Sequence, residues 1–305
     1  MAPSSVPAIS LLHLSKRYGA IQAVRDVSLT VERGEAFGFL GLNGAGKTTT
    51  IRILLDLLRP SGGSAQLFGL DCQKDSIRTR SMVGYLPGEL GLYPDMTGQD
   101  LLDLTAKLSG GAVSGDYRQK LLDRLELAPV DVHRSLREYS TGMKRKLGLV
   151  QALQADPPLL ILDEPTEGLD PLVQQTLHQI LLELRERGRT VFMSSHVLSE
   201  VERLCDRIAV IRKGEIVLLS TVNEARHLGG RIVRIKFRQT VEPITLPQGT
   251  AFIDRQATQW TLRADSEVGA LIPLLAQLPV KDLEIGEPAL EDVLRNFYRP
   301  EPVDV

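Results

Sequence analysis

A glycine-rich stretch near the start of the chain constrains its fold more than any other feature. Residues 41–48 read Gly-Leu-Asn-Gly-Ala-Gly-Lys-Thr and match the pattern G-x-x-x-x-G-K-[ST] at every position. Backbone amides can all point inward at a phosphate only where side chains do not block the approach, and glycines meet that need. The pattern therefore predicts a loop that binds the phosphates of a nucleotide.

The segments on either side of this loop are those that phosphate binding requires. An apolar run at residues 36–40 predicts a buried strand, and a helical pattern after the loop continues to Leu58, before Pro60. The open N-terminus of that helix favours an anion. Lys47 is then placed for the β- and γ-phosphates, and the Thr48 hydroxyl is placed for Mg²⁺.

Two carboxylates end another apolar run. Residues 159–162 predict a buried strand, and Asp163 and Glu164 follow it directly. In parallel sheets the functional site lies at the C-terminal ends of the strands. Asp163 is therefore predicted to hold Mg²⁺, directly or through water, and Glu164 to polarise the attacking water. Taken alone, the pair is equally well explained as an acidic turn before Pro165; the phosphate loop favours the functional interpretation.

Strand and helix patterns alternate along most of the chain, which predicts an α/β fold with a parallel sheet. A further strand is predicted at residues 190–195, and two strands at 208–212 and 215–219 flank a hairpin signal. Residues from about 91 to 155 show only helical periods, so they predict a helical insert. The pattern changes again near residue 227, and we predict a first domain at 1–224 and a small second domain at 225–305.

The composition excludes several classes of protein. Hydrophobic residues make up 43 % and charged residues 24 % of the chain, as in globular proteins. The net charge of −2 gives no overall basic field, so we expect no nucleic-acid partner. Only Cys72 and Cys205 are present, which suits a reducing cytosol. No span or signal peptide is predicted, so we expect a cytoplasmic chain that reaches a membrane only through a partner.

A short segment decides between the classes of phosphate-loop protein. Residues 139–143 read Tyr-Ser-Thr-Gly-Met and precede a helical pattern. They resemble the signature motif LSGGQ of ABC ATPases, in the variant YSTGM. The order of phosphate loop, signature, acidic strand end, Asp170 and His196 also fits that family over about residues 8–220. Residues 287–293 look like the C-terminal extension of type-2 ABC exporter ATPases, which include drug-resistance and sodium-extrusion relatives.

The resemblance implies a fold and an activity. The fold is the P-loop NTPase α/β fold, a parallel sheet with an antiparallel β subdomain and a helical insert, followed here by a small C-terminal α+β domain. The activity is hydrolysis of ATP with Mg²⁺ by the cytoplasmic subunit of an exporter, which lies on the inner face of the membrane through a separate permease. Two copies are implied to close head to tail, so that the signature of one completes the nucleotide site of the other.

The resemblance also implies roles for residues. Tyr18 stacks on adenine, Asp170 lies in a loop at the dimer interface, and His196 contacts the γ-phosphate, while Glu164 acts as base or orients the water. Ser140 can cap the signature helix and Gly142 lets a phosphate approach the backbone. The implied contacts to ATP are Gly41, Leu42, Asn43, Gly44, Ala45, Gly46, Lys47, Thr48 and Thr49, and those to the partner's ATP are Ser140, Thr141, Gly142 and Met143.

The chain departs from the family pattern at one loop. A glutamine is expected after Tyr-Leu-Pro, where it contacts Mg²⁺, but residues 85–87 are followed by Gly88 and Glu89. Glycine has no side chain to contact a metal, so Glu89 is the candidate substitute, with a solvent-facing glutamate as the equal alternative. The basic run Lys144, Arg145 and Lys146 has two interpretations, a stronger positive field at the γ-phosphate or a solvated face of the signature helix, and we favour the solvated face.

Two other functions remain open from the sequence. One is a non-transport ABC ATPase that acts on nucleic acid or the ribosome, although such proteins usually carry tandem ATPase domains or long coiled-coil inserts. The other is an importer ATPase, against which only the C-terminal tail argues. The second domain contains no phosphate loop, and its short strands and a helical segment at residues 290–298 suit packing or dimer contacts.

Overall fold

The computed structural model describes residues 6–109, 113–242, 244–265, 268–288, 290 and 293. It divides into two compact units, Met1–Leu219 and Ser220–Val305. The predicted boundary at residue 224 falls inside a short helix, Val222–His227, whose N-terminus is closed by a capping box between Thr221 and Glu224. The helical segment predicted at residues 290–298 lies outside the described residues, apart from Leu290 and Val293.

Two sheets form the first unit. Their strands are β1 Ile9–Tyr18, β2 Ile21–Val31, β3 Ala36–Leu40, β4 Gly62–Leu67, β5 Leu70–Asp71, β6 Val83–Leu86, β7 Leu159–Asp163, β8 Thr190–Ser195, β9 Arg207–Arg212 and β10 Glu215–Thr221. The larger sheet has six strands in the order β10-β9-β3-β8-β7-β6, and the pairs β3–β8, β3–β9, β7–β8 and β6–β7 are parallel. The smaller sheet has the order β2-β1-β4-β5 and its pairs are antiparallel.

The described helices of the first unit fall into two groups. Four of them, α3 to α6, lie between β6 and β7, which confirms the predicted helical insert. Of the others, α1 contacts strands of both sheets, α2 contacts β5 of the smaller sheet, and α7 and α8 contact the parallel sheet. Their bounds are α1 Lys47–Leu54, α2 Ser76–Ser81, α3 Gly98–Leu108, α4 Gly115–Arg124, α5 Pro129–Val132, α6 Thr141–Leu153, α7 Pro171–Glu186 and α8 Leu198–Leu204.

The central strands of the large sheet are apolar because both of their faces are covered. Every residue of β3, β7 and β8 is buried, and the rings of Phe37 and Phe192 stack with centroids 5.8 Å apart. Strand β8 lies between β3 and β7, and all three run in the same direction. The segments that follow these three strands therefore meet at one edge of the sheet.

Helix α1 is shorter than predicted. The helical pattern continues to Leu58, but α1 ends at Leu54, and Asp56 has a left-handed φ of 53°. A residue in that conformation cannot continue a right-handed helix. The apolar side chains after Leu54 pack without helical geometry, so periodicity alone placed the end too late.

The second unit is an antiparallel sheet with small helices. Its strands β11 Arg231–Phe237, β12 Thr250–Gln256, β13 Gln259–Ala264 and β14 Val280–Gly286 have the order β12-β13-β11-β14. Trp260 is 1 % exposed and meets the edge of Phe237 at a centroid distance of 4.7 Å. Helices α9 Val222–His227 and α10 Ile272–Leu275 complete the described secondary structure, with a 3₁₀ turn at Val268–Leu271.

No helix in the described part of the chain is both long enough and apolar enough to cross a bilayer.

Candidate functional site: a phosphate loop at the strand ends

The phosphate loop connects β3 to α1, and its glycines are required by its shape. Gly44 and Gly46 have φ values of 79° and 115°, which side chains rarely allow. A Cβ on Gly46 would lie 2.6 Å from the carbonyl oxygen of Ala23. The loop can therefore keep its path against β2 only with glycine at that position.

Lys47 is buried at the start of α1, with 6 % of its surface exposed. Its Nζ donates to the carbonyl oxygen of Gly41 at 2.5 Å and lies 3.1 Å from Oε1 of Glu164. A buried ammonium group needs such partners, because an unpaired charge in the interior is costly. The loop and the acidic strand end are thus joined through this side chain.

Asp163 ends β7 and is 2 % exposed. Its Oδ2 accepts a hydrogen bond from the Thr48 hydroxyl at 2.9 Å, and its Oδ1 accepts one from the Ser194 hydroxyl. Carboxylate and hydroxyl oxygens are the ligands that Mg²⁺ prefers, so this pair fits a magnesium–nucleotide complex. Sequence reasoning missed Ser194; the signal was the pair of serines that ends the otherwise apolar strand β8.

Glu164 has a strained backbone and a well-held side chain. Its φ of 51° lies in the left-handed region, and its amide donates to the carbonyl oxygen of Ser194 at 3.1 Å. Its Oε2 is 2.8 Å from Nδ1 of His196 and 3.2 Å from the His196 amide nitrogen. The two predicted catalytic residues are therefore in contact, and Glu164 contacts Lys47 on its other oxygen.

A cleft of about 720 Å³ opens above these groups. Its walls include the phosphate loop, the end of β7, the segment after β6 and the N-terminal part of α6. Gly88 and the exposed Glu89 both line it. Burial, with a further effect from Asp163, raises the pKa of the cleft residue Tyr85 to about 12, so its hydroxyl stays neutral. The candidate Mg²⁺ substitute Glu89 is thus in the same cleft as Thr48 and Asp163.

The signature residues lie at the start of α6. The Ser140 hydroxyl accepts from the Met143 amide at 3.2 Å and caps the helix. Thr141 reaches the cleft, whereas Ser140 and Met143 do not line it. A Cβ on Gly142 would lie 3.2 Å from the carbonyl oxygen of Gly168, so the signature packs against the loop before α7.

Asp170 and Tyr18 lie away from the cleft walls. Asp170 caps α7 by accepting from the Val173 amide at 3.0 Å, and it lies 3.7 Å from Lys146 Nζ. Tyr18 ends β1 and is 48 % exposed, with the Lys16 ammonium 5.2 Å from its ring centroid. The ring of Tyr18 is therefore available for contact, but neither Tyr18 nor Asp170 belongs to the cluster around Lys47.

Arg145 contradicts the interpretation of the basic run as a solvated face. Its side chain is 3 % exposed and donates to backbone carbonyls on two separate segments of the chain. Lys146 is paired with Glu126 and Asp170. The helical phase could have revealed Arg145, because it lies four residues before the buried Leu149 on the same face of α6.

This geometry defines the chain as a P-loop NTPase. The comparisons define it further: residues 24–167 match the family model described as ABC transporter. An ATP-binding subunit of an ABC transporter of known structure is similar over 72 % of this chain and 92 % of its own, with 31 % identity and a TM-score of 0.67. The chain belongs to the ATP-binding proteins of ABC transporters, and it is an ATPase.

The relatives extend the match beyond the first unit. The ABC transporter ATP-binding protein YhcH of Bacillus subtilis is 34 % identical, over 93 % of each chain. The bacitracin transport ATP-binding protein BcrA of Enterococcus faecalis is 39 % identical, over 70 % of this chain and 68 % of its own. A protein of Nostoc sp. described as an ABC transporter ATP-binding protein is 43 % identical over 67 % of this chain, which spans 61 % of that relative.

Proposed function

We propose that this chain powers an exporter, as one of two ATPase subunits that act on a separate membrane permease. The observation that carries the proposal is the contact of Glu164 with both Lys47 and His196, at the ends of neighbouring parallel strands. Similarity to the Nod factor export ATP-binding protein I of Ralstonia nicotianae, which is 38 % identical over 69 % of this chain, supports export over import.

In this proposal the side chains of the cleft exchange partners when ATP binds. The phosphates attract Lys47 away from Glu164, because a β- and γ-phosphate pair carries more negative charge than one carboxylate. The freed carboxylate of Glu164 then orients water and accepts its proton. His196 stays at the end of β8, where its ring can donate to the γ-phosphate as the product forms.

The residues around Asp163 fit a magnesium ion bound with the nucleotide. Thr48 and Asp163 would hold the ion, and Glu89 is a further candidate from the opposite wall of the cleft. When bound, the ion neutralises phosphate charge. Ser194 keeps the Asp163 carboxylate in place from the other side. The two hydrogen bonds on one carboxylate fix its orientation before any nucleotide arrives.

We further propose that the signature acts across a dimer of identical chains. The helix capped by Ser140 presents open amides and the positive end of its dipole, which favour an anion. Ser140 is exposed and does not line the cleft of its own chain. The phosphate it contacts would therefore belong to the partner's ATP, with Asp170 near the interface. Tyr18 would stack on adenine through its exposed ring face.

Mixing two inactive variants tests this arrangement. Lys47→Ala removes the phosphate contact, and Ser140→Arg places a long side chain at the exposed helix cap. Each variant alone is expected to be inactive. An equal mixture should regain about a quarter of wild-type ATPase activity, because half of the dimers contain one intact combined site. If the signature served its own chain, every mixture would stay inactive, and the head-to-tail proposal would be wrong.

Membrane attachment through the permease is the part of the proposal that separates transport from the alternatives. Expressed with its permease, the chain should sediment with membranes, and without the permease it should remain in the supernatant. Stimulation of ATP hydrolysis by ribosomes instead of the permease would support the non-transport alternative. The second unit contains no second phosphate loop and takes no part in nucleotide binding in this proposal.

A further inference from the structure

Arg145 is the most completely bonded buried side chain near the candidate site. It lies in α6, five residues after the helix cap Ser140, and its guanidinium group donates to main-chain oxygens only. The acceptors are the carbonyls of Pro87 at 2.6 Å, Gly88 at 3.1 Å, Asp163 at 2.6 Å, Pro165 at 3.4 Å and Glu164.

Keeping a guanidinium group in this place is costly, which points to a specific use. Burial lowers the pKa of Arg145, and the nearby carboxylates of Glu167, Asp163 and Glu164 offset that effect only in part. A buried charge is generally less stabilising than apolar packing of the same volume. What arginine offers instead is a rigid planar fork of five donors, which can hold several carbonyls in a defined arrangement; lysine, with one point charge, cannot.

The main chain that Arg145 holds is strained at Glu164. A left-handed φ of 51° is unfavourable for a non-glycine residue, and Pro165 restricts Glu164 further. Such a conformation persists only when its surroundings fix it from both sides. Here the Ser194 carbonyl accepts from the amide of Glu164, and Arg145 donates to its carbonyl oxygen. This conformation directs the Glu164 carboxylate toward Lys47 and His196.

The same guanidinium group holds the opposite wall of the cleft. Its bonds to Pro87 and Gly88 keep that loop against the end of β7, where a Cβ on Gly88 would lie 3.3 Å from Oδ2 of Asp163. Both segments are thereby attached to α6. A shift of α6 along its axis would change the carbonyl geometry at both of them.

We infer that Arg145 is a positioning residue, which attaches Glu164 and the backbone of Pro87 and Gly88 to the helix that begins at Ser140. Contact of Ser140 with a phosphate is thereby transmitted to the carboxylate that orients the water. This inference rests on the proposed function. It assigns to Arg145 an effect on the rate of hydrolysis rather than on the affinity for ATP, because Arg145, although it lines the cleft, bonds the backbone around Gly88 and Glu164 and not the phosphate loop.

Substitution of Arg145 by lysine tests the inference. Arg145→Lys keeps the charge but loses the fork, and we expect kcat to fall at least about tenfold while the Kd for ATP stays within about twofold. Arg118→Lys is the matched control. Arg118 is another largely buried arginine of the helical insert, bonded to Asp103 and the Leu102 carbonyl. The substitution Arg118→Lys should lower the melting temperature but leave kcat unchanged.

A double variant separates positioning from general damage to the fold. If Arg145 acts through Glu164, Arg145→Lys should lower the residual hydrolysis of Glu164→Gln by less than about twofold. A full additional loss, or an unchanged kcat in the single variant, would overturn the inference. If Arg145→Lys does not fold, Arg145→Gln, which keeps a planar donor group, is measured in the same cycle. Absence of ATPase activity in the wild-type chain would instead refute the proposed function itself.

Discussion

Replacement of Glu164 by glutamine gives a direct measure of the ion pair at the centre of the site. The side chain is 14 % exposed, and its two oxygens face Lys47 at 3.1 Å and His196 at 2.8 Å. Glutamine has nearly the same shape but cannot carry the negative charge or accept a proton from water. The substitution therefore alters hydrolysis and ATP binding in opposite directions.

The size of both effects follows from the contacts. A general base contributes about 10²–10⁴-fold to a rate, so turnover should fall at least about 100-fold. In the wild type, ATP must compete with Glu164 for Lys47. Lys47 and Glu164 form an ion pair rather than a hydrogen bond, and the neutral amide oxygen of glutamine keeps only part of that attraction for the ammonium group. We expect the Kd for ATP to fall by about three- to tenfold.

Three measurements check this prediction. Phosphate release gives the turnover, isothermal titration at low temperature gives the Kd, and light scattering with ATP reports a dimer that accumulates because product does not form. Glu186→Gln, an equal change of charge at an exposed position of α7 outside the cleft, serves as the control. A variant that hydrolyses ATP at near the wild-type rate, or binds it more than tenfold more weakly, would refute the reasoning.

Three further predictions concern other parts of the structure. Burial raises the pKa of Glu200 above its ordinary value of 4.5, although hydrogen bonds from Thr166 and Ser195 oppose the shift. Because the folded chain binds this proton more tightly than the unfolded chain, stability falls as the pH rises through the raised pKa, and Glu200→Gln should raise the melting temperature more at pH 8 than at pH 5. Glu89→Ala should raise the Mg²⁺ concentration needed for half-maximal turnover, and an unchanged titration would exclude Glu89 as a ligand. Trp260→Ala should cost about 3–5 kcal/mol of unfolding free energy, measured by urea titration, with the Kd for ATP unchanged.

The local sequence was sufficient to predict those elements whose conformation is set by their own residues. The phosphate loop needs glycine at positions where φ is positive, and that demand appears directly in the sequence at Gly44 and Gly46. The strand Thr190–Ser195 was predicted with its observed bounds, because both faces of a central parallel strand are covered and its middle residues, Val191 to Met193, are apolar. Periodicity failed where a single residue left the right-handed helical conformation, as Asp56 does after α1.

The contacts between distant segments could not be predicted in the same way. The hydrogen bond between Ser194 and Asp163 joins the ends of two strands, and its existence depends on β8 lying next to β7 in the sheet. Strand order is decided by packing over the whole unit, and a serine at a strand end is consistent with many orders. The resemblance to ABC ATPases implied that His196 contacts the γ-phosphate. The two serines that end β8 mark a polar strand end, but they do not identify Asp163 as the partner of Ser194.

Arg145 shows why a charged residue near a motif is the hardest to interpret from sequence. Three consecutive basic residues favour a solvated face, because an isolated guanidinium group is rarely worth burying. Only the fold shows that five carbonyl oxygens converge where Arg145 lies, from segments more than 50 residues apart. The charge is tolerated because main-chain oxygens surround it, and one of these oxygens belongs to Glu164, whose left-handed conformation the bond helps to hold. The cost of the arginine and the strain of the glutamate thus have a common physical cause, which is the fixed position of one carboxylate.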